Sequence, residues 1–325
     1  MPDTSSLPGL AIAITTFQRR GLLTELLESI DALDLKPHRV FVVDNENSDE
    51  TAQLVGRFAW ATYIGMPENA GGAGGFSRGV GEAYAAGYDW VWVMDDDVKV
   101  LPGALERLSR WMTVTDDQLV AGHPISAVDG VYQGSRLNFD STPFYWQYHF
   151  INALGIPNPV APSGLDEPRP MNTACFEGGL FHRRVIELIG LPDPRFFIYS
   201  DDSAYGYLAS KVTQMKLVPD LILQRTRTLE HFKLGTIRKL NATSNMTRYY
   251  IMRNRGYLAR YLRLFHEYYP VLFGLGTAMT FAKEAIRLFV TKDFRAGFGR
   301  LWRGWRDSHA ILRDKEWRPM PPLAV

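Results

Sequence analysis

Trp90-Val91-Trp92-Val93-Met94-Asp95-Asp96-Asp97 joins an apolar, aromatic strand to three consecutive carboxylates. Adjacent anions at a strand end repel one another, which costs stability unless a cation or a polar ligand relieves them. Hard divalent cations such as Mg²⁺ or Mn²⁺ suit an oxygen-rich site and commonly keep positions open for substrate phosphates. A solvated acidic loop accounts for the same residues without any ligand. The surrounding sequence favours the ligand.

Upstream of this run, short apolar stretches alternate with helical patterns. Leu10–Thr15 predicts a buried strand, and Gly21–Leu33 predicts a helix on the spacing of Leu22, Leu23, Leu26, Leu27 and Ile30. Arg39–Val43 reads as a second strand ending at Asp44-Asn45, and Glu50–Phe58 as a helix capped by Ser48 or Asp49. Ala61–Ile64 is a third strand, followed by a glycine-rich turn and a helix from about Phe76 to Ala86. This order implies right-handed βαβ units, an α/β fold and a mainly parallel sheet. Ligands of such sheets bind outside the carboxyl ends of the strands. Thr15-Thr16, Asp44-Asn45, Asn69–Gly75 and Asp95–Asp97 all fall at such ends, which points to a nucleotide pocket.

Asn69-Ala70-Gly71-Gly72-Ala73-Gly74-Gly75 opens a helix, where bare backbone approaches a phosphate or a sugar closely. It is not a P-loop, because no Gly-Lys-Ser/Thr follows, and Ser77 breaks the dinucleotide fingerprint that Gly72 and Gly74 begin. Glycines that let a helix pack tightly on a strand explain the run equally well. From Met112 to Met171 the pattern loosens, with prolines at 124, 143, 157, 162, 168 and 170 among aromatics. Irregular segments over the sheet, a lid on the acceptor side, are expected there. In the run Gly190–Tyr205 a second acidic pair, Asp201-Asp202, follows an aromatic stretch read as a strand and precedes a helix carrying Tyr205 and Leu208. Helix capping explains this pair, and so does a general base held within reach of a substrate hydroxyl.

The chain has 325 residues, 46% of them hydrophobic, enough for one large domain and an appendage or for two domains. No uncharged membrane-spanning stretch or signal-peptide layout is apparent, and the lone Cys175 reads as a packing residue, so a cytoplasmic location is expected. The net charge of +1 conceals an asymmetry: residues 1–224 hold 16 Lys and Arg against 28 Asp and Glu, and residues 225–325 hold 20 against 7. The two parts therefore face different partners, the basic part a phosphate-rich or anionic surface.

Thr15-Thr16-Phe17, Asp44-Asn45, Asn69 with Gly71–Gly75, Asp95-Asp96-Asp97, Gly178-Gly179, Asp201-Asp202 and His231 together resemble the family 2 glycosyltransferases of the GT-A fold. Asn69–Phe76, Asp89–Asp97 and Tyr250–Tyr257 are similar to elements of the bacterial galactofuranosyltransferases within it. The resemblance implies a GT-A domain over 1–235, Rossmann-like, with a basic helical region over 236–325. It implies a nucleotide-sugar donor, UDP-galactofuranose, lying across the strand ends. Thr15, Phe17, Asp44, Asn69, Gly72, Gly74 and Arg78 would hold nucleotide and sugar, with Asp96 near the donor sugar. Asp95, Asp97 and His231 would take Mn²⁺ or Mg²⁺, although an ordinary loop histidine also explains His231. Asp202 would be the general base and Asp201 its orienting neighbour, in a single displacement that inverts the anomeric centre. Ser203-Ala204-Tyr205 departs from the acidic or larger polar residue the family usually has after this pair.

Beyond Asn254 the chain turns helical. Tyr257, Tyr261, Leu264 and Phe265 make one apolar stripe, and Phe294, Phe298, Leu301, Trp302 and Trp305 make another with arginines between them. The second stripe suits a helix lying in an anionic membrane interface at the inner face of the cell membrane, or one packed on the core. Nucleic acid is not an expected partner, because no recognised motif accompanies the charge. The expected acceptor is a glycan or lipid-linked glycan of a cell-wall or surface polysaccharide. A dTDP-rhamnose-dependent rhamnosyltransferase is the alternative within the class, and a non-catalytic sugar-nucleotide-binding protein the alternative outside it. A nucleotidyltransferase would need a basic, glycine-rich N-terminal loop that this chain lacks.

Overall fold

Apolar, β-branched runs form the parallel half of a sheet: β1 (Leu10–Thr16), β2 (Arg39–Asp44), β3 (Ala61–Gly65) and β4 (Trp90–Asp95). Helices α1 (Arg20–Asp31), α2 (Asp49–Val55) and α3 (Gly71–Ala85) connect them. The computed structural model describes residues 9–114, 125–144, 149–158, 166–227, 231–234, 238–241, 244–291 and 293–323. α1 buries Leu23, Leu26, Leu27 and Ile30, the face its spacing predicts. α2 starts at Ser48, whose hydroxyl accepts the Thr51 N–H at 3.2 Å. Trp90 and Trp92 of β4 are fully buried, and aromatic side chains of that size dominate core energetics.

The ten-stranded sheet continues past β4 with mixed polarity. β5 (Val98–Val100), α4 (Ala104–Ser109), β6 (Asp129–Leu137), β7 (Gly179–His182), α5 (Arg183–Ile189), α6 (Asp201–Ala209) and β8 (Gln214–Arg225) follow in the chain. The order across the sheet is Arg169–Pro170, β8, β6, β7, β4, β1, β2, β3. β7 runs antiparallel to both β4 and β6, while β8 runs parallel to β6 with register shifts. The segment expected to be irregular thus supplies β6, a central strand. Its buried Gln133, Ser135 and Arg136 hide the strand pattern, because their partners come from distant residues.

Three further boundaries differ from expectation. The glycine-rich run is the first turn of α3, which begins at Gly71 instead of about Phe76. Glycine disfavours helix, but tertiary packing overrides that here. A Cβ at Gly75 would lie 2.3 Å from Thr15 Cγ2, and one at Gly79 would lie 3.1 Å from Ala13 Cβ, so bare positions four residues apart let α3 sit directly on β1. Second, Arg195–Tyr199 forms no strand: a 3₁₀ turn at Pro194–Phe196 leads into positive φ at Phe197, Tyr199 and Ser200. Third, the helix expected after Asn254 begins at Asn245.

After the hairpin His231–Leu234 and Arg238–Asn241 come α7 (Asn245–Leu264), α8 (Pro270–Val290) and α9 (Phe294–Arg313). Leu258, Ala259, Tyr261 and Leu262 of α7 share an apolar cluster with Ala73, Phe196, Ala204 and Tyr207, so this helix is packed onto the sheet region. Gly256 faces Ser308 and Gly304 faces Tyr249, bringing α7 and α9 into close contact.

Candidate active site

Parallel register lines up the ends of the first four strands: Thr16 pairs with Asp44, Thr15 with Asp95, and Asp44 with Gly65. Thr16 Oγ1 donates to Asp96 Oδ2 at 2.7 Å, and Arg19 Nη1 donates to Asp96 Oδ1 at 3.0 Å and contacts Asp97 at 3.4 Å. Asp96 is buried, and the cost of burial outweighs these partners, so its carboxyl is pushed up. Burial also raises Asp95 and Asp97, and the repulsion of Glu177 and of the neighbouring aspartates adds to it. The three acids are therefore not a solvated loop: anionic charge is concentrated where the protein opposes it.

Glu177 is the residue that sequence reasoning missed. It occupies the loop before β7, where Gly178 (φ +100°) donates its N–H to the Val93 carbonyl at 2.8 Å and brings the loop against the end of β4. Burial alone would raise Glu177, but Arg136 and Arg225 outweigh it and hold the carboxyl low. Arg225 grips it in bidentate fashion, with both N···O distances 2.7 Å, while Arg136 Nη1 lies 3.6 Å from Oε1 and donates to the Glu177 carbonyl at 2.6 Å. Arg225 reaches this place because β8 pairs with β5 just beyond the aspartates, Arg225 opposite Val98. The available signal was a lone carboxylate immediately before Gly178-Gly179 in an otherwise apolar stretch.

The second acidic pair joins the same seam. Gly206 of α6 lies so close to Ala174 that a Cβ would sit 2.0 Å from the Ala174 nitrogen, which sets α6 against the Thr173–Ala174 backbone just before Cys175. The Cys175 thiol stands beside Asp202 and favours its ionised form, and the Glu177 N–H donates to the Cys175 sulfur at 3.3 Å. Burial keeps this thiol far above its usual range, so it is a protonated donor and not a nucleophile. Asp202 is raised by burial, although its Oδ1 accepts from Ser203 N at 2.6 Å and Ser203 Oγ at 3.2 Å. Asp201 is pushed up to about 7, first by burial and then by the charge on Asp202.

The strained segment before this pair is held from two sides. Asn254, fully buried on α7, donates to the carbonyls of Phe196, Ile198 and Tyr199 at 3.0, 2.8 and 2.7 Å. Arg253 donates to the Phe196 carbonyl at 2.8 Å and Phe197 stacks on Tyr250. From the other side, the Ala73 N–H donates to the Phe197 carbonyl at 3.0 Å, an approach that Gly71, at φ +70°, leaves room for.

The remaining expected residues differ in placement. Asp44 is fully buried and accepts from Glu46 N, Ser48 N and Tyr63 Oη at 2.9, 3.0 and 3.2 Å, so its oxygens hold the turn after β2. Burial and this carboxylate push the Tyr63 phenol up to about 12. Asn69 accepts the Gly71 N–H at 2.9 Å, and Asn45 ties β2 to the same turn through Ala70 N and Gly71 O. Gly72 faces open space, whereas Gly74 abuts Ala70. Phe17 is exposed at the end of β1. Arg78 is paired with Glu82 on the outer side of α3 at 2.7 Å, and no contact draws it into the seam among the described residues. His231 pairs with Asn241 in the hairpin backbone, and its side chain lies outside the described residues.

Residues 11–164 match the family model described as Glycosyl transferase family 2. The sequence is 30% identical over 190 residues to galactofuranosyltransferase GlfT1 of Mycolicibacterium smegmatis, covering 58% of this chain and 61% of that protein. It is 28% identical over 198 residues to galactofuranosyltransferase GlfT1 of Mycobacterium tuberculosis, covering 58% and 60%. The chain thus spans about three fifths of the length of these relatives. Among solved structures, S. aureus TarS 1-349 superposes with a TM-score of 0.57 at 14% identity, over 94% of this chain and 81% of that chain. GalNAc-T7 with UDP, GalNAc and Mn²⁺ superposes with a TM-score of 0.52 at 11% identity, over 78% and 50%. Residues 11–164 thus carry the match to the family 2 glycosyltransferases, the chain shares the GT-A fold of these structures with a helical region after it, and its sequence resembles the galactofuranosyltransferases.

Proposed function

We propose that this chain is an inverting, metal-dependent glycosyltransferase that moves galactofuranose from UDP-galactofuranose onto a glycan or lipid-linked glycan acceptor. One observation supports the reading above all. The carboxylates ending β4 and those opening α6 are linked through Glu177 and Cys175 into a single buried seam. The names of the relatives support the donor sugar.

The chemistry of Asp95 and Asp97 fits a hard divalent cation, because positive charge between them would relieve both burial and repulsion. Among the described residues no group of three or more His, Cys, Asp or Glu gathers as a ready metal cage. Two carboxylates with phosphate and water oxygens completing the shell are an ordinary arrangement for such ions, and His231 is the further candidate ligand. Mn²⁺ or Mg²⁺ bound here supplies charge neutralisation for the departing diphosphate.

In this reading the nucleotide lies over the ends of β1 and β2, near Thr15, Phe17 and Asp44, and Asn69 and Gly72 face the uridine or sugar, while Gly74, packed on Ala70, lets the turn close beneath them. Arg78 would have to leave Glu82 to reach the ribose or diphosphate, and Asp96, held by Thr16 and Arg19, lies nearest the donor sugar. Asp202 accepts the proton of the acceptor hydroxyl while that oxygen attacks the anomeric carbon opposite the diphosphate. The bond from that carbon to the diphosphate oxygen breaks as the new bond forms, inverting the centre. Asp201, its carboxyl pushed up to about 7 by burial and by the charge on Asp202, orients the acceptor or the base. Residues 1–235 are the catalytic unit and 236–325 the basic helical region, and the reaction runs in the cytoplasm at the inner face of the cell membrane.

The test is incubation of the purified chain with UDP-galactofuranose or dTDP-rhamnose, Mn²⁺ and a membrane extract supplying acceptor. We expect UDP release from the first donor, abolished by a chelator and restored by Mn²⁺. Release only from the rhamnose donor overturns the sugar, chelator-insensitive release overturns the metal, and donor binding without turnover overturns the enzyme.

A further inference from the structure

The described part of α8 leaves a long apolar strip in solvent. Val271 is 85% exposed and Phe289 67%, with Leu275, Met279 and Ile286 about half exposed between them. At about 100° per residue these five share one face of the helix. Scattered exposed leucines are ordinary, but a contiguous strip this long marks a contact surface. No described helix is long and apolar enough to cross a membrane.

This reassigns the amphipathic feature of the region. The aromatic stripe of α9 turns inward: Leu301 is buried with Met252 and Leu288, and Phe294, Phe298 and Trp305 pack on that cluster. Trp302 alone of the stripe is exposed, and its ring lies 6.5 Å from Phe281 of α8. Helical spacing sets Arg295 and Arg306 within about 40° of Trp302 on α9, and both are exposed. Cations therefore border the apolar strip.

Charge identifies the occupant. Residues 270–313 hold eight Lys and Arg against three Asp and Glu. One of those three, Glu284, is fully buried among Arg248, Lys283 and Arg287. A second copy of this chain would set one cationic rim against another, whereas anionic lipid headgroups complement it. We infer that the solvent-facing strip of α8 inserts into the interface of an anionic bilayer, with the α9 arginines on the headgroups. The inference rests on these helices alone and holds whether or not the chain transfers a sugar.

The test is flotation of the full chain with vesicles of phosphatidylcholine, with or without about a third phosphatidylglycerol, at low and high salt. Binding to anionic vesicles is expected to exceed binding to neutral ones by at least about tenfold at low salt, consistent with several basic contacts. The double variant Leu275→Glu, Phe289→Glu should lose flotation and keep the native unfolding temperature, since both side chains are exposed. Leu275→Ser, Phe289→Ser should weaken flotation without adding charge. Arg295→Gln, Arg306→Gln should bring anionic binding down toward the neutral level. Equal flotation of the Glu variant and the native chain overturns the inference. So does equal binding to neutral vesicles, or a native dimer in sedimentation that the Glu variant converts to monomer without any vesicle binding.

Discussion

The acidic seam and the basic helices leave opposite kinds of surface unsatisfied. At the ends of β4 and α6 the chain buries carboxylates that burial and mutual repulsion push toward protonation. On α8 it does the reverse and leaves apolar side chains in water. Neighbouring residues show that neither condition is forced by composition. Asp44 is buried with three donors, and the stripe of α9 is folded inward. Stabilising solutions exist within a few residues of each exception, so the exceptions locate where other molecules are expected to complete the protein.

The largest expected effect tests the acidic side. Asp202→Asn keeps the side chain's shape and removes its basicity, so turnover should fall by about 10²- to 10⁴-fold while donor affinity, read by calorimetry, changes little. Equal losses of binding and turnover would move this residue from proton transfer to donor binding.

A smaller effect tests whether the two regions are independent. Asn254 on α7 holds three carbonyls of the strained segment that delivers Asp201 and Asp202. Asn254→Ala leaves those buried acceptors short of a donor and should destabilise the fold by about 1–3 kcal/mol in chemical denaturation. Turnover at temperatures well below unfolding should drop more than donor binding does. A loss of stability with unchanged turnover would separate the helical region from the catalytic geometry.

The smallest effect is the pH dependence of Asp201. Its folded value, about 7, exceeds that of an ordinary carboxylate. The stability it contributes is therefore fully present below the ordinary range near pH 4 and is lost as pH rises through about 7. The metal-free protein should unfold several degrees lower at pH 8.5 than at pH 5.5, and Asp201→Asn should narrow that difference. An unchanged difference would assign the pH dependence to other groups.

Much of the candidate site was legible because its residues fall at the ends of readable strands. Thr15, Asp44 and Asp95 each terminate an apolar run, and parallel pairing brings such ends to one edge. β6 was illegible because Gln133, Ser135 and Arg136 break its apolar pattern and find their partners 39 or more residues away. The start of α3 was misread because glycine's poor helix propensity is a local signal, whereas its close packing on β1 is not. The Arg195–Tyr199 segment looked like a strand from its aromatics, and only contacts from Asn254 and Ala73 show why it takes left-handed backbone.

The order of strands and helices, the resemblance to a family and the two acidic groups were determined by the sequence alone, since periodicity and short motifs are local properties of the chain. That the groups meet through Glu177 and Cys175, and that α8 and not α9 shows its apolar face to solvent, were decided by tertiary structure. Burial and electrostatic coupling depend on which residues approach in space, and residues far apart in the chain set that approach.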